Sequence, residues 1–481
     1  MTLKRIFTWN TFRLWAGMGT AIVLTGCPLT DKYYIEQNSV GGNTSQGGMN
    51  GGSIGVGVGV GAATNLGGRP GSAGAALVPC EANTCTGTCC NSGCSDVLTD
   101  ANNCGACGNA CPVGRNCRAG KCYGWTTMAA PPVELVAREK AAYVAMGERL
   151  FVFGGLDANG NALNSGGIYD PATDTWTMLP QTDATPSPRQ LASAFWSGLR
   201  VFVMGGRDAS SALAYADGGR FDPDPTTWDW FAAGALSSGR VAPWGAPSAS
   251  YLMLWGGLSA TDTAVSGGER AAYTITGTNV WTAITAGTYG GVTPDRVTDA
   301  AWGYTSTLAY LFGGRTTGTG GPKTNKGYYY TATSNSWTAM STGPSGRWGS
   351  FGTCDGTAFY TWGGRDDSNV MGDGYRYGAN WTTLGVANAP AARWAPFRRT
   401  GWAFSFAKDD VAIIGGMDLA GVPLTDGGRY NRAADTWSTI DAWPSREAHE
   451  YAAAVLLKGE IFVWGGRNGA TLTTTGERWL P

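Results

Sequence analysis

Seven doubled glycines divide residues 124–481 into units of nearly equal length. Each pair ends an apolar stretch, and successive pairs are 51, 51, 57, 50, 52 and 50 residues apart. In the first unit four strand-like runs, KAAYVAM, RLFVFGG, GGIYD and TWTML, are separated by turn residues. A period near fifty residues with four strands per period predicts an all-β, seven-bladed β-propeller. The first glycines of the pairs are Gly154, Gly205, Gly256, Gly313, Gly363, Gly415 and Gly465.

An aromatic residue and a Trp recur downstream of each pair. Four units keep a seven-residue spacing between them: Tyr169/Trp176, Phe221/Trp228, Tyr330/Trp337 and Tyr430/Trp437. Together with the doubled Gly, this pattern resembles the kelch repeat over residues 124–481. We expect the Gly residues to allow close backbone approach and the Trp residues to fill wedges between blades. Sugar-stacking platforms are the alternative role for these Trp residues.

The seventh unit ends before its Trp strand. Trp479 occupies the aromatic position of that unit, whereas GWTTM, residues 124–128, matches the Trp strands TWTML and SWTAM. Seven Trp strands therefore match seven Gly-Gly strands only if the N-terminal strand completes the last blade. The sequence predicts that this strand closes the ring, which leaves no open blade interface.

The first 79 residues have the composition of an export and anchoring segment. Basic residues precede a short apolar run that ends in Leu-Thr-Gly-Cys27, which resembles the bacterial lipobox. The resemblance implies a signal peptide over residues 1–26 and a lipid on Cys27; an ordinary secretory signal is the alternative. Residues 27–79 are rich in Gly, Ser and Asn, which is typical of a flexible tether. We expect a protein of the cell envelope that meets the membrane only through its lipid.

Ten of the twelve cysteines lie within residues 80–123, a segment too short for a hydrophobic core of its own. A bound zinc ion and disulfides are the two alternatives for stabilising this segment. Export to an oxidising compartment favours about five disulfides, whose connectivity the sequence leaves open. The segment resembles the stigma-specific cysteine-rich family, which implies a small secreted module without defined chemistry. Its cysteines are Cys80, Cys85, Cys89, Cys90, Cys94, Cys104, Cys107, Cys111, Cys117 and Cys122. Cys354 is expected to be buried in a strand.

An Arg row marks one face of the predicted ring. Arg138, Arg189, Arg240, Arg347 and Arg399 precede the first Gly of their pair by 16 residues, Arg296 by 17 and Arg446 by 19. Strand direction places them beside the long loops that follow the Gly pairs. Two roles remain open: Arg bonded to blade carbonyls, or an Arg ring at the channel mouth that binds anionic groups, with Trp348 or Trp244 as a stacking surface.

The amino-acid composition limits which ligands this chain can bind and which reactions it can catalyse. The 34 basic residues balance 35 acidic ones, which argues against nucleic-acid binding. Galactose oxidase also has a seven-bladed kelch-like ring, but its copper needs two His, whereas this chain has one, His449. We therefore predict no metal, cofactor or catalytic residue, and a monomeric module that binds a protein or a glycan. The alternative is an epimerase-like carbohydrate enzyme using Glu139, Glu269, Glu447 or Glu450 on the same face.

Overall fold

The computed structural model describes residues 87–480 except for 91–92, 112–114, 225, 232–235, 249, 273–280, 285–293, 295–296, 317–320, 397–399, 408–409 and 445–448. The predicted signal peptide, Cys27 and the tether lie outside these residues, as do Cys80, Cys85 and Glu447. No described segment is a helix long and apolar enough to cross a membrane.

The disulfide module supplies the first four strands. They are β1 (Thr88–Cys90), β2 (Gly93–Ser95), β3 (Asn116–Arg118) and β4 (Lys121–Thr127). Strand β1 pairs with β2 and strand β3 with β4, both antiparallel.

Seven antiparallel sheets follow, and the all-β propeller predicted from the repeats is confirmed. The strands lie in chain order in six of the sheets, whereas the seventh takes β4 as its outer strand. Blade 1 has β5 (Ala142–Met146), β6 (Arg149–Phe153), β7 (Gly166–Asp170) and β8 (Thr175–Met178). Blade 2 has β9 (Ser193–Trp196), β10 (Val201–Met204), β11 (Gly218–Pro223) and β12 (Thr226–Phe231). Blade 3 has β13 (Trp244–Pro247), β14 (Tyr251–Trp255), β15 (Gly268–Ala272) and β16 (Trp281–Ala283).

Blade 4 begins with a short strand β17 (Val297–Thr298) and continues with β18 (Ala301–Tyr304), β19 (Leu308–Phe312), β20 (Arg315–Thr316), β21 (Gly327–Thr331) and β22 (Ser336–Ala339). Blade 5 has β23 (Phe351–Cys354), β24 (Phe359–Trp362), β25 (Gly374–Tyr377) and β26 (Trp381–Thr383). Blade 6 has β27 (Trp402–Ala407), β28 (Asp410–Ile414), β29 (Gly427–Asn431) and β30 (Thr436–Ile440). Blade 7 has β31 (Ala453–Leu457), β32 (Glu460–Trp464), β33 (Arg467–Asn468), β34 (Thr471–Leu472) and β35 (Gly476–Leu480).

The first strand of each blade lies innermost. These strands contact one another around the axis: β5 touches both β9 and β31, β9 touches β13, and β23 lies between β18 and β27. The second strands are almost fully buried between neighbouring blades, as in Leu150–Phe153 and Ile461–Trp464. The hydrophobic core therefore consists of layers between neighbouring blades and is not a single central cluster.

Strand β4 completes blade 7, which confirms the predicted closure. Residues 124–127 pair with residues 477–480, and Trp125 lies opposite Trp479. The same β4 also pairs with β3 of the disulfide module, so one five-stranded sheet runs from the module into the ring. The boundary that the sequence placed between residues 123 and 124 thus falls inside a strand.

Disulfides hold the module together, as predicted. Cys90–Cys107, Cys104–Cys117 and Cys111–Cys122 are bonded, and Cys89 and Cys94 are also disulfide-bonded. Arg115 of the module adds an ion pair to Glu460 of β32, with 3.3 Å between Nη2 and Oε2. Cys354 lies in β23 and is buried, as expected.

The outer-strand Trp residues lie between blades. Each of five indole Nε1 groups donates a hydrogen bond to a carbonyl just after the Trp strand of the preceding blade. The pairs are Trp125 to Asp441, Trp176 to Ala129, Trp228 to Pro180, Trp381 to Ser341 and Trp437 to Gly385, at 2.7–3.2 Å. This geometry supports the wedge role for these five residues, because a ring packed and hydrogen-bonded between blades offers little free face to a sugar.

Candidate functional site: the loop face of the ring

Four of the predicted Arg residues bind the backbone of their own blade. Arg138 Nη1 donates to the carbonyls of Gly154 (3.1 Å) and Ser165 (2.7 Å). The same contact with the first Gly of the pair recurs for Arg189, Arg240 and Arg347, at 2.9–3.2 Å. All four Arg residues are at most 3 % exposed.

Carboxylates compensate most of these buried charges. Arg189 pairs with Asp217 at 3.0 Å, Arg347 with Asp373 at 2.6 Å, and Arg240 lies 3.6 Å from Glu269. Among the described residues Arg138 has only neutral acceptors, and burial lowers the pKa of its guanidinium to about 10. The geometry therefore favours the structural role, and ligand binding by these four residues stays a prediction.

The remaining three Arg candidates, Arg296, Arg399 and Arg446, lie outside the described residues. Other residues occupy the equivalent positions. Arg393 donates to the Gly415 carbonyl at 3.0 Å, although it precedes that Gly by 22 residues. His449 Nδ1 lies 2.8 Å from the Gly465 carbonyl and is fully buried, so the single His takes the Arg position of blade 7. In blade 4 the residue 16 positions before Gly313 is Val297, also buried.

The Arg backbone joins neighbouring blades. The second Gly of a pair donates its N–H to the carbonyl of the next blade's Arg, as Gly155 does to Arg189 at 2.9 Å and Gly466 does to Arg138 at 2.9 Å. Gly154 has a φ of +71°, and a Cβ there would lie 2.6 Å from the carbonyl oxygen of Arg189 in the next blade. The doubled Gly thus serves a close interblade contact that a side chain would block.

A belt of backbone hydrogen bonds surrounds the channel mouth on this face. Five N–H groups each donate to a carbonyl of the preceding blade at 2.7–3.1 Å: Lys140 to Tyr451, Leu191 to Lys140, Ala242 to Leu191, Gly349 to Asp299 and Ala395 to Gly349. Leu191 and Asp299 have φ values of 55° and 56°, which non-Gly residues seldom adopt. The interblade bonds hold these residues in that conformation, so the mouth has a fixed backbone rim.

Trp348 lies in a cluster of Arg and Trp side chains from three blades. The guanidinium carbon of Arg315 is 3.7 Å from the Trp348 ring centroid, and that of Arg365 is 5.3 Å from it and 5.0 Å from the Trp394 ring. The two indoles pack edge to face with centroids 4.7 Å apart. We call Arg315, Trp348, Arg365 and Trp394 the Arg–Trp cluster.

Sequence reasoning identified only Trp348 of this cluster. Arg315 and Arg365 directly follow a Gly pair, as Arg207 and Arg467 also do, so the recurring Gly-Gly-Arg was the pattern that would have found them. Trp394 follows Arg393 as Trp348 follows Arg347. The longer segment between Arg393 and Gly415 obscured that equivalence.

Exposed apolar residues adjoin the cluster. The Trp394 indole donates to the Asp418 carbonyl at 3.0 Å. The loop that Asp418 begins carries Leu419 and Val422, which are 57 % and 54 % exposed. Aromatic, apolar and cationic groups thus share one surface.

Carboxylates named for an enzyme are engaged in structural contacts. Glu139 is buried and pairs with Arg467 and Lys140 at 2.5 Å and 3.2 Å. Glu269 accepts hydrogen bonds from the Ser237 N–H and hydroxyl, at 3.0 Å and 2.7 Å to Oε1. Glu450 is buried, and its backbone pairs with that of Arg467 in an isolated antiparallel β-bridge. The side chains of Glu139 and Glu269 are thus engaged in contacts within the ring, and Glu450 is held there through its backbone.

Residues 137–182 match the kelch motif, and residues 75–130 match the stigma-specific STIG1-like protein family. Beta-scruin of Limulus polyphemus is 27 % identical over 148 residues, which cover 30 % of this chain and 15 % of that protein. Alpha-scruin of the same organism is 28 % identical over 129 residues, 26 % of this chain and 14 % of that protein. The chain therefore matches only a small part of the length of these curated relatives. Seven blades, their Gly-Gly and Trp positions and these matches identify the chain as a kelch-repeat, seven-bladed β-propeller joined to a STIG1-like cysteine-rich module.

Proposed function

We propose that this protein is a non-catalytic, protein-binding module of the cell envelope, exported and anchored through a lipid on Cys27. The Arg–Trp cluster on the loop face carries the binding part of the proposal. Trp and Arg are the residue types most enriched among energetically dominant contacts of protein interfaces. Kelch propellers and the scruin relatives support protein binding as the general function.

The cluster has the chemistry of a docking centre. Packing of Arg315 and Arg365 against the indoles fixes the guanidinium planes, so less side-chain entropy is lost when a partner binds. The Trp348 indole N–H is buried and has no hydrogen-bond acceptor among the described residues. Because this N–H is buried, the partly exposed guanidinium groups of Arg315 and Arg365 would supply the donors to a partner. The partner segment should therefore offer carboxylates or carbonyls beside an apolar side chain that covers Leu419 and Val422.

The proposed lipid anchor is compatible with the described structure. Residues 27–79 would act as a flexible tether between the lipid and the disulfide module. The module is fixed to blade 7 through β4, so the ring and module would move on the tether as one unit. The proposed location is the outer membrane, with the module facing the periplasm or the cell surface.

Affinity purification from envelope extract with cross-linking and mass spectrometry tests the binding part. We expect the wild-type chain to capture a partner whose cross-links surround Arg365 and Trp394. Arg365→Ala and Trp394→Ala should each weaken capture at least about tenfold, and 0.5 M salt should weaken it for the wild type. Arg149→Ala, an exposed Arg on the opposite face, is the matched control and should bind normally. Equal capture by all variants would contradict the proposed face.

A further inference from the structure

Two disulfides of the module bring their sulfur atoms close together. Cys104 is bonded to Cys117, and Cys111 is bonded to Cys122. The Sγ atoms of Cys104, Cys111 and Cys122 all lie within 4.8 Å of one another. One sulfur of the first disulfide therefore lies beside both sulfurs of the second.

Backbone contacts hold these sulfurs in place. Cys117 of β3 and Cys122 of β4 lie directly opposite each other in the antiparallel pair. The loop that begins at Cys104 lies against the turn between these strands, because a Cβ added to Gly105 would be 2.5 Å from the Gly120 carbonyl oxygen. The close approach of the two disulfides therefore belongs to the folded backbone of the module.

The two disulfides differ in their access to solvent. Cys104 is fully buried and Cys117 is 7 % exposed, whereas Cys111 and Cys122 are half-buried. Access is one of the factors that set the rate at which a thiolate attacks a disulfide. A reductant in solution should therefore open the Cys111–Cys122 bond first, which leaves a new thiol beside the buried bond.

From this arrangement we infer that the two disulfides form an exchange pair, in which a thiol from the outer disulfide attacks the buried one. A dithiol reductant, itself oxidised to a disulfide, first gives two electrons and two protons to the Cys111–Cys122 bond. The Cys122 thiol then loses its proton to water, and its thiolate attacks Cys104 Sγ. The Cys104–Cys122 bond forms and the Cys104–Cys117 bond breaks. The electron pair of the broken bond stays on Cys117 Sγ, which takes up a proton.

The exchange has a consequence for ring closure. Cys104 belongs to the close group of sulfurs and Cys117 does not, so Cys117 is the leaving group whether Cys122 or Cys111 attacks. When Cys122 attacks, β4 regains a cross-link to the module. A reductant that opens the outer disulfide then does not release the strand that completes blade 7. This redox response goes beyond the proposed protein binding at the Arg–Trp cluster and does not depend on it.

Time-resolved reduction of the purified full chain tests the exchange. A substoichiometric amount of dithiothreitol is added to the folded protein, and acid stops exchange by protonating thiolates. Thiols are then labelled with N-ethylmaleimide in denaturant, and mass spectrometry locates labels and bonds. Labels should appear first on Cys111 and Cys122, and later on Cys117 in molecules whose Cys104 is still disulfide-bonded. Labels that stay on Cys111 and Cys122, or that appear on Cys104 and Cys117 together, would overturn the inference.

A single variant tests the same step without reductant. Cys111→Ala leaves the Cys122 thiol beside Cys104, and we expect at least about a tenth of the molecules to contain a Cys104–Cys122 bond and a label on Cys117, because exchange keeps the number of disulfides constant. Cys90→Ala is the matched control. Its partner Cys107 is exposed and belongs to no close sulfur group among the described residues, so the label should stay on Cys107. A Cys111→Ala variant labelled on Cys122 alone, or a control whose label spreads to Cys117, would also overturn the inference.

Discussion

Trp125 and Trp479 lie directly opposite each other in paired strands, with ring centroids 6.5 Å apart, although they come from the two ends of the propeller sequence. Trp125 also packs edge to face on Trp443 of the preceding blade, with centroids 5.6 Å apart. One residue therefore closes the last blade and wedges it against its neighbour.

Replacing Trp125 with Ala should destabilise the whole ring. The indole is 2 % exposed, and loss of such a core aromatic costs about 3–5 kcal/mol. Deleting residues 124–130 should be more severe, because β35 would then have a free edge that favours aggregation. Denaturant unfolding and light scattering measure both effects. Trp196→Ala, near the opposite face and outside the closure, should cost less; equal stability of Trp125→Ala and the wild type would refute the closure role.

Removing the Cys111–Cys122 disulfide should lower the stability of the propeller as well as the module. Cys122 lies in β4, the strand that completes blade 7, so loosening it removes a constraint on the closure. We expect the Cys111→Ala/Cys122→Ala variant to lose about 2–4 kcal/mol of unfolding free energy. Thermal unfolding of the ring, followed by its tryptophan fluorescence, measures this loss. Cys90→Ala/Cys107→Ala is the matched control, since neither residue lies in β4, and it should change the ring's melting less.

Arg347→Ala should unfold the ring more readily, whereas Arg365→Ala should not. Arg347 is 1 % exposed and binds the Gly363 carbonyl and both Asp373 oxygens. Charged hydrogen bonds of this kind contribute about 1.5–3 kcal/mol each. Arg365 stacks at the surface and should be replaceable with little loss. Chemical denaturation compares the two, and an Arg347→Ala variant as stable as the wild type would contradict the structural role of Arg347.

Stability should fall in acid partly through Asp373. Burial raises the pKa of its carboxyl, but the hydrogen bond and charge of Arg347 outweigh burial and hold the pKa below its usual value. A depressed carboxyl pKa gives stability that is present above the unfolded value and lost as pH falls through the folded one. Asp373→Asn should therefore reduce the pH dependence of the unfolding free energy below about pH 4. An unchanged acid slope would show that this pair does not contribute.

Cys27→Ala should prevent lipidation if the proposed anchor is correct. The variant should remain uncleaved or become soluble, because no thiol is available to accept a lipid. Intact-mass spectrometry of the wild type should find an acylated N-terminal Cys27. A mature chain that begins elsewhere without a lipid would contradict the anchor.

The sequence by itself determined the architecture, because a period near fifty residues with four strand-like runs permits little else. The missing Trp strand of the seventh unit and the matching Gly124–Met128 segment determined the closure. Seven Gly-Gly strands have seven Trp strands only if this N-terminal segment completes the last blade. Cysteine number and spacing determined the disulfide module but not its connectivity, which depends on which sulfurs the folded chain brings together.

Only the tertiary structure showed what the described Arg residues contact. A spacing of 16 residues placed Arg138 and Arg347 beside a Gly pair but did not show whether their donors face solvent or carbonyls. The fold turns them inward, and it gives the same position to His449 and, across a longer segment, to Arg393. The Arg–Trp cluster joins residues of three blades that lie up to 79 positions apart in the chain, because the packing of neighbouring blades brings their loops together in a way that no local pattern specifies.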